Sequence, residues 1–277
     1  MPRDLRDLVV VITGAGSGIG RATATAFVEE GARVHGVDVE PERLAELALE
    51  LTERGGRFAA HVLDVRDAQG MLRLAEEVVT AHGRVDVLHN NAGLVVGGPV
   101  EQLTLEDWRL AVDVNLMGVI HGIHAFVPHM IAQGGGAHIV NTGSLAGLLG
   151  FPVVSPYSAT KFAVVGLSES LDAELAPHDI RVTAICPGAV RTRALEGGRL
   201  TLPGRGMELL GAVMDRFAMS PEQVAREVLR VVRRRQGGVR PIGRETLPLW
   251  LFRRSSVAAY EHLMRLLSRR VLGRRGG

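Results

Sequence analysis

Thr13-Gly14-Ala15-Gly16-Ser17-Gly18-Ile19-Gly20 lies between an apolar run, Leu8-Val9-Val10-Val11-Ile12, and a stretch of helical periodicity over residues 18–30. The β-branched run reads as a strand buried on both faces. Glycines let the backbone turn sharply behind it and come close to a pyrophosphate. That anion then rests on the helix N-terminus, where free N–H groups and the helix dipole favour negative charge. A glycine-rich turn by itself is common; placed between strand and helix, with a carboxylate ending the next strand, it is specific. Asp38, after Val34-His35-Gly36-Val37, is that carboxylate. A carboxylate there accepts hydrogen bonds from the adenosine ribose and repels a 2′-phosphate, so the pattern favours NAD over NADP. No basic residue in the turn or directly after Asp38 offers to hold such a phosphate, and the plain alternative for Asp38 is a solvated turn residue.

Outward from this turn, short β-branched runs alternate with longer amphipathic stretches. Strands are expected at residues 8–13, 33–37, 57–62, 85–89, 137–142 and 180–186, with a weaker one at 239–242. Helices are expected at 18–30, 41–54, 67–82, 105–132, 156–176 and 221–235. Alternating β and α units imply an α/β fold, a single-domain Rossmann-type doubly wound parallel sheet of about seven strands with helices on both faces. Ser220-Pro221-Glu222-Gln223 is a strong helix start, with a capping serine, proline at the first position and glutamine at the third. Residues 1–246 form the expected domain. Within it, residues 188–219 lack a clean period and suit a mobile lid over a site. Residues 247–277 form a basic tail, with apolar positions three and four apart from Val257 onward, the pattern of an amphipathic helix.

The 277 residues carry a formal net charge of +2 that hides an asymmetry. Residues 1–225 hold 18 basic residues against 27 acidic, whereas residues 226–277 hold 14 arginines against Glu227, Glu245 and Glu261. Such a tail suits an anionic partner, a membrane surface or an acidic protein face, or simply offsets the acidic body. The single cysteine, Cys186, excludes an intramolecular disulfide and fits a reducing compartment; at the end of an apolar strand it reads as a small core residue. Residues 1–12 offer neither a signal peptide nor a membrane span, so a cytoplasmic protein is expected, with peripheral membrane association through the tail as a variant.

One basic residue other than arginine and histidine occurs, Lys161, four residues after Tyr157 in Tyr157-Ser158-Ala159-Thr160-Lys161. On a helix this spacing sets the two side chains on one face. An ammonium is a compact point charge, unlike the planar guanidinium. Beside a phenol of ordinary pKa about 10, it stabilises the phenolate and turns a poor base into a useful one. Hydride removal from an alcohol carbon needs such a base for the hydroxyl proton.

Taken together, these motifs resemble the short-chain dehydrogenase/reductase family over residues 8 to about 245. The glycine turn is similar to the family's TGxxxGxG motif, with Gly14, Ser17, Gly18, Ile19 and Gly20 against the cofactor. Asp64-Val65 resembles the pair that contacts adenine. Asn90-Asn91-Ala92-Gly93 resembles NNAG, with Asn91, Ala92 and Gly93 along the cofactor. Pro187-Gly188-Ala189-Val190-Arg191-Thr192 resembles PGxVxT, in which Pro187, Gly188, Val190 and Thr192 hold the nicotinamide amide. Ser144 stands thirteen residues before Tyr157, the family's interval, and Asn115 matches its helix asparagine. The resemblance implies Tyr157 as general acid/base and Lys161 as the cation that lowers its pKa and binds the nicotinamide ribose. It also implies Ser144 as hydrogen-bond donor to the substrate oxygen, and Asn115 as holder of a water that links Lys161 to a proton relay. Substrate thus meets Ser144 and Tyr157, and the expected cofactor is NAD.

The expected activity is NAD-dependent interconversion of a secondary alcohol and a ketone. The apolar character of residues 145–155 and 193–219 points to a bulky hydrophobic substrate of steroid, retinoid-like or long-chain type. Two other readings stand beside it: an NADP-dependent carbonyl reductase of a small polar substrate, and a Rossmann protein that senses the dinucleotide without turnover. Nucleic-acid binding through the tail lacks a motif and stacking aromatics. His121, His124 and His129 lack a carboxylate or cysteine at ligand spacing, so no metal is expected. By resemblance, helices 105–132 and 156–176 pair between subunits into a homodimer or homotetramer.

Overall fold

Valines at positions 9 to 11 and Ile12 fill the first strand, and all five of its residues are buried. The computed structural model describes residues 3–191, 198–202 and 204–272. In chain order its elements are β1 (Val9–Thr13), α1 (Gly18–Glu29), β2 (Arg33–Asp38), α2 (Pro41–Glu53), β3 (Arg57–Val62), α3 (Ala68–His82), β4 (Val87–Asn90) and β5 (Val96–Gly97). Then come α4 (Leu105–Val112), a π turn (Asp113–Met117), α5 (Gly118–Ala132), β6 (His138–Thr142), α6 (Ser155–Glu174), β7 (Arg181–Pro187) and β8 (Arg199–Leu200). The chain continues through α7 (Gly204–Phe217), α8 (Pro221–Arg234), β9 (Gly238–Ile242), α9 (Thr246–Ser255) and α10 (Val257–Leu272).

The main sheet is parallel throughout, in the order β3-β2-β1-β4-β6-β7-β9. Successive side chains of a strand face opposite sides, and β1 feeds two cores accordingly. Val10 and Ile12 pack with Phe27, Leu44, Leu47, Val224 and Val228 beneath α1, α2 and α8. Val9 and Val11 pack with Met71, Val78, Phe126 and Met130 beneath α3 and α5. From β1 the chain winds first toward β3 and then, through β4, toward β9. Strand order therefore reverses between β1 and β4, the point where a crevice opens at the carboxyl ends of the strands. Asp86 ties the opposite end together: its carboxylate accepts from the Val9 N–H at 2.9 Å and from Arg3 and Arg84.

Three stretches depart from the sequence expectation. Residues 105–132 are helical, but a π turn interrupts them at Asp113–Met117, with Asn115 at its centre. An inserted residue leaves no mark in apolar periodicity, and such turns gather at functional sites. Although Leu105–Ala132 is long and apolar enough to cross a bilayer, Phe126 and Met130 are sealed in the core beneath the sheet. Within the expected lid, Gly204–Phe217 is a regular helix; Gly204, Gly206 and Gly211 dilute its signal, because glycine disfavours helix. The tail holds two helices rather than one, and both pack on the body. Tyr260 joins Leu148, Leu149, Val165, Ala184 and Cys186 in a third buried cluster, with Trp250 and Met264 against it.

Candidate active site

A cleft of about 810 Å³ opens at the carboxyl ends of β1, β2, β4, β6 and β7 and runs beneath α7 and α10. At one end lies the glycine turn. Gly14 (φ +67°) and Gly18 (φ +52°) take left-handed conformations that L side chains rarely adopt. Gly14 also presses against the Ala92 backbone, and a Cβ there would stand 2.9 Å from the Ala92 Cα. Thr13 closes this contact, its Oγ1 accepting from the N–H groups of Asn91 (2.9 Å) and Ala92 (3.0 Å). The Asn91 amide donates back to the Thr13 carbonyl at 3.0 Å. Ser17 caps α1 without a side-chain bond to the helix, and Ser17, Gly18 and Ile19 line the cleft, so this uncapped first turn borders it.

Asp38 is pinned beside this turn. Its Oδ2 accepts from the Gly16 N–H at 2.8 Å and its Oδ1 from the Glu40 N–H at 3.1 Å. Asp64 and Val65 line the same end. Arg66 grips the Asp64 carboxylate through Nε and Nη2 (2.8 and 2.6 Å) and holds it below the usual carboxylate range. Two cations of this end were not read from the sequence, Arg43 and Arg66, both of which line the cleft. Arg43 sits in the first turn of α2, five residues past Asp38, and its place follows from helix geometry once the strand end is known.

At the middle of the cleft stand Ser144, Tyr157 and Lys161. Ser144 ends the segment after β6, its hydroxyl accepting from the Ala146 N–H at 3.1 Å. Tyr157 and Lys161 lie in the first two turns of α6, which Pro156 opens. Burial pushes the Tyr157 phenol above its ordinary pKa, and a hydrogen bond with Ser144 pulls it back in part. Lys161 follows one helical turn after Tyr157 on α6. Its Nζ lies 5.8 Å from the phenol ring centroid and donates to the Thr142 carbonyl at 2.8 Å. Burial draws Lys161 down to about 8, which still leaves the ammonium charged at neutral pH.

Asn115 is fully buried and does not line the cleft. Its amide clasps Leu94, with Oδ1 accepting from the Leu94 N–H (2.8 Å) and Nδ2 donating to the Leu94 carbonyl (2.9 Å) and to Thr160 Oγ1 (3.3 Å). Both polar atoms of that side chain are thereby engaged, so it anchors the Leu94 strip and the Thr160 turn of α6 instead of reaching into the cleft. Gly20 also lies outside the lining, packed under Gly14, whose carbonyl oxygen occupies the space of a Cβ. Gly14, Ser17, Gly18, Ile19, Asn91, Ala92, Gly93, Pro187, Gly188 and Val190 all line the cleft as expected. Thr192 falls outside the described residues. His121 is engaged locally, its Nδ1–H donating to the Val65 carbonyl at 2.8 Å.

Beyond Tyr157 the lining turns aliphatic. Leu94, Val95, Leu145, Val153 and Val154 meet Leu209, Leu210, Val213 and Met214 of α7 and Leu267 and Val271 of α10. Val153 takes φ +63°, a strained conformation for a β-branched residue, and its carbonyl accepts from the Gly98 N–H at 2.6 Å. The two residues from α10 were not anticipated, because amphipathic spacing says which face is apolar but not what it covers.

The model of the short chain dehydrogenase family matches residues 8–201. A short chain dehydrogenase/reductase from Burkholderia phymatum, solved in complex with NAD, superposes with a TM-score of 0.85 at 30% identity, covering 93% of this chain and 96% of that one. A 3-oxoacyl-[acyl-carrier-protein] reductase of Thermotoga maritima is 38% identical over 225 residues, 81% of this chain and 90% of that protein. A cyclohexanol dehydrogenase of an Acinetobacter strain is 37% identical over 195 residues, 69% of this chain and 76% of that protein.

Proposed function

The chain belongs to the short-chain dehydrogenase/reductase family of oxidoreductases, and from that premise we propose that it interconverts a secondary alcohol and a ketone with NAD(H). The observation that carries the reading is the meeting of Ser144, Tyr157 and Lys161 in one cleft that begins at the glycine turn. The fit of a dinucleotide rests on two features of the cleft. The first turn of α1 offers N–H groups to a pyrophosphate beside left-handed Gly14 and Gly18. Asp38, at the end of β2, offers a carboxylate to the ribose. Asp64 and Val65 would flank the adenine, Asn91, Ala92 and Gly93 would lie along the cofactor, and Pro187, Gly188 and Val190 would flank the nicotinamide half. The carboxylate supports NAD; Arg43 and Arg66 on the same lining are what the NADP alternative would use.

A nicotinamide held beside Pro187, Gly188 and Val190 would supply the hydride acceptor for oxidation and the hydride donor for reduction. The chain's own part is proton transfer and placement. Tyr157 takes the hydroxyl proton as the alcohol is oxidised and gives it back to the ketone oxygen in reduction. Ser144 donates a hydrogen bond to that oxygen, where charge develops. Lys161, charged and buried beside the phenol, stabilises the phenolate and offers its remaining donors to the nicotinamide ribose. Asn115 is a positioning residue, acting through Leu94 and Thr160. Oxidation of a panel of secondary alcohols, small polar and large apolar, with NAD and with NADP tests the whole reading. Turnover with NAD and a rise in kcat/KM with apolar size are expected; preference for NADP or for polar substrates would replace it with the carbonyl-reductase reading.

A homodimer or homotetramer through Leu105–Ala132 and α6 suits the exposed Leu105, Val112 and Ile131 on that helix face. A cytoplasmic setting suits the single thiol, which burial pushes up to about 12 and makes unreactive. The tail's outer side carries exposed Arg254, Arg265, Arg269 and Arg270 beside exposed Leu263 and Leu266, chemistry complementary to an anionic bilayer. Sedimentation with anionic vesicles checks this contact: Arg265→Gln/Arg269→Gln should pellet less than the parent chain, and equal pelleting removes the membrane role.

A further inference from the structure

The C-terminal helix α10 lies over the mouth of the cleft, and three contacts fasten the tail to the catalytic segments. The Tyr260 hydroxyl donates to the Gly150 carbonyl at 2.8 Å, and Arg253 Nη1 donates to the Leu148 carbonyl at 2.5 Å. Both carbonyls belong to the loop that starts at Ser144. The Arg253 guanidinium also stacks on Phe162, 4.9 Å from the ring centroid, directly after Lys161 in α6. Tyr260 is almost fully buried and Met264 packs beside the same cluster. At spacings of four, three and four from Tyr260, positions 264, 267 and 271 share its helix face. Leu267 and Val271 accordingly reach the cleft lining, and Val271 is only 6% exposed. Helix α7 borders them with Leu209, Leu210, Val213 and Met214. No charged side chain occurs among the described lining residues at this end; those of the cleft stand at Asp38, Glu40, Arg43, Asp64, Arg66 and Lys161.

We propose that α10 is the far wall of the substrate pocket, with Leu267 and Val271 setting how long an uncharged aliphatic body the substrate carries beyond its reacting carbon. The inference rests on the alcohol–ketone reading for its kinetic arm. A fixed apolar wall rewards each methylene that reaches it, by about three- to fourfold in binding for full burial. A carboxylate at the end of such a chain would meet no cation among the described lining residues there and would be disfavoured. The tail thus sets substrate length and polarity while Arg254, Arg265, Arg269 and Arg270 stay exposed.

The test is a series of secondary alcohols from 2-propanol to 2-decanol, with a ω-carboxylated member, assayed with NAD on the full chain and on Leu267→Trp, Val271→Trp and Leu267→Ala. The parent should prefer the longer members and discriminate against the carboxylate. Each tryptophan should lower the long-to-short ratio of kcat/KM at least about tenfold, and Leu267→Ala should move the optimum to longer chains. In parallel, fluorescence titration with neutral N-phenyl-1-naphthylamine reads the wall without turnover, and Leu267→Trp should raise its Kd. Ratios and probe affinity equal to the parent's in folded variants would overturn the proposal while leaving the reaction class intact. Absence of turnover with every alcohol would instead refute the reaction class, and the probe titration would still decide the wall.

Discussion

At the adenosine end of the cleft the chain presents backbone N–H groups and carboxylates; at the far end it presents leucine, valine and methionine from α7 and α10. The first end is built by strand termini and a turn whose atoms are fixed by hydrogen bonds, such as Gly16 N–H to Asp38 at 2.8 Å. The second is built by helices added late in the chain and fastened by Tyr260 and Arg253. Directional contacts recognise one ligand shape, whereas aliphatic packing selects by volume and polarity and tolerates exchange of one apolar residue for another. One end therefore suits a ligand common to many reactions, and the other suits a substrate particular to this chain.

The largest break falls on the seam between the two. Tyr157→Phe removes the hydroxyl that carries the proton and leaves the ring to pack, so turnover should drop about 10²- to 10⁴-fold. Dinucleotide affinity, set at the other end, should change little by calorimetric titration. Turnover near the parent rate would show that the proton travels by another route.

Asp38→Ala probes the polar end alone. The carboxylate leaves, its hydrogen bonds with it, and Arg43 and Arg66 remain on the lining. A hydrogen bond to a charged group is worth about 1.5–3 kcal/mol, so the kcat/KM ratio of NAD to NADP should fall about ten- to a hundredfold. The alcohol chain-length profile should stay as it was. A variant that altered the profile and left the ratio would join the two ends that the comparison separates.

The polar end was legible in the sequence because its chemistry is local. Thr13 to Gly20, Asp38 and Asn91 to Gly93 each follow a strand within a few residues, so strand reading alone places them. The spacing of Tyr157 and Lys161 likewise lies within one helix. What the sequence did not carry is three-dimensional. Lys161 spends a donor on the Thr142 carbonyl, and Asn115 is engaged by Leu94; neither partner is near in sequence. Leu267 and Val271 reach the cleft from more than a hundred residues beyond Tyr157, through contacts that periodicity cannot foresee. Glycines at 204, 206 and 211 hid α7 for a different reason, since they weaken the local helix preference that tertiary packing overrides.

The finest distinction between the ends is in their response to acid. His35 stands on β2, three residues before Asp38, with Nδ1 3.0 Å from His61 Nε2 on β3 and Nε2 2.9 Å from His82 Nε2 on α3. Glu77 of α3 lies 3.8 Å from His61 on its far side. Burial, and then the neighbouring histidines, lower His35 from 6.5 to about 4. The fold thus holds the neutral ring, while the unfolded chain takes up a proton as pH falls through 6.5. The stability present above 6.5 is lost as pH descends toward 4. At pH 5.5 this one group should cost on the order of 1 kcal/mol relative to pH 8. Urea unfolding of the parent and of His35→Gln across pH 8 to 5 should differ in slope by about one proton near pH 5.5, the variant being the shallower whatever its absolute stability. Because β2 also carries Asp38, NAD affinity should weaken on acidification before affinity for a neutral apolar probe does, since the described lining at the α10 end holds no titratable side chain. Parallel decline of both affinities would mean that β2 and α10 loosen together, and the two ends would then be one cooperative unit rather than a rigid polar seat beside an exchangeable apolar wall.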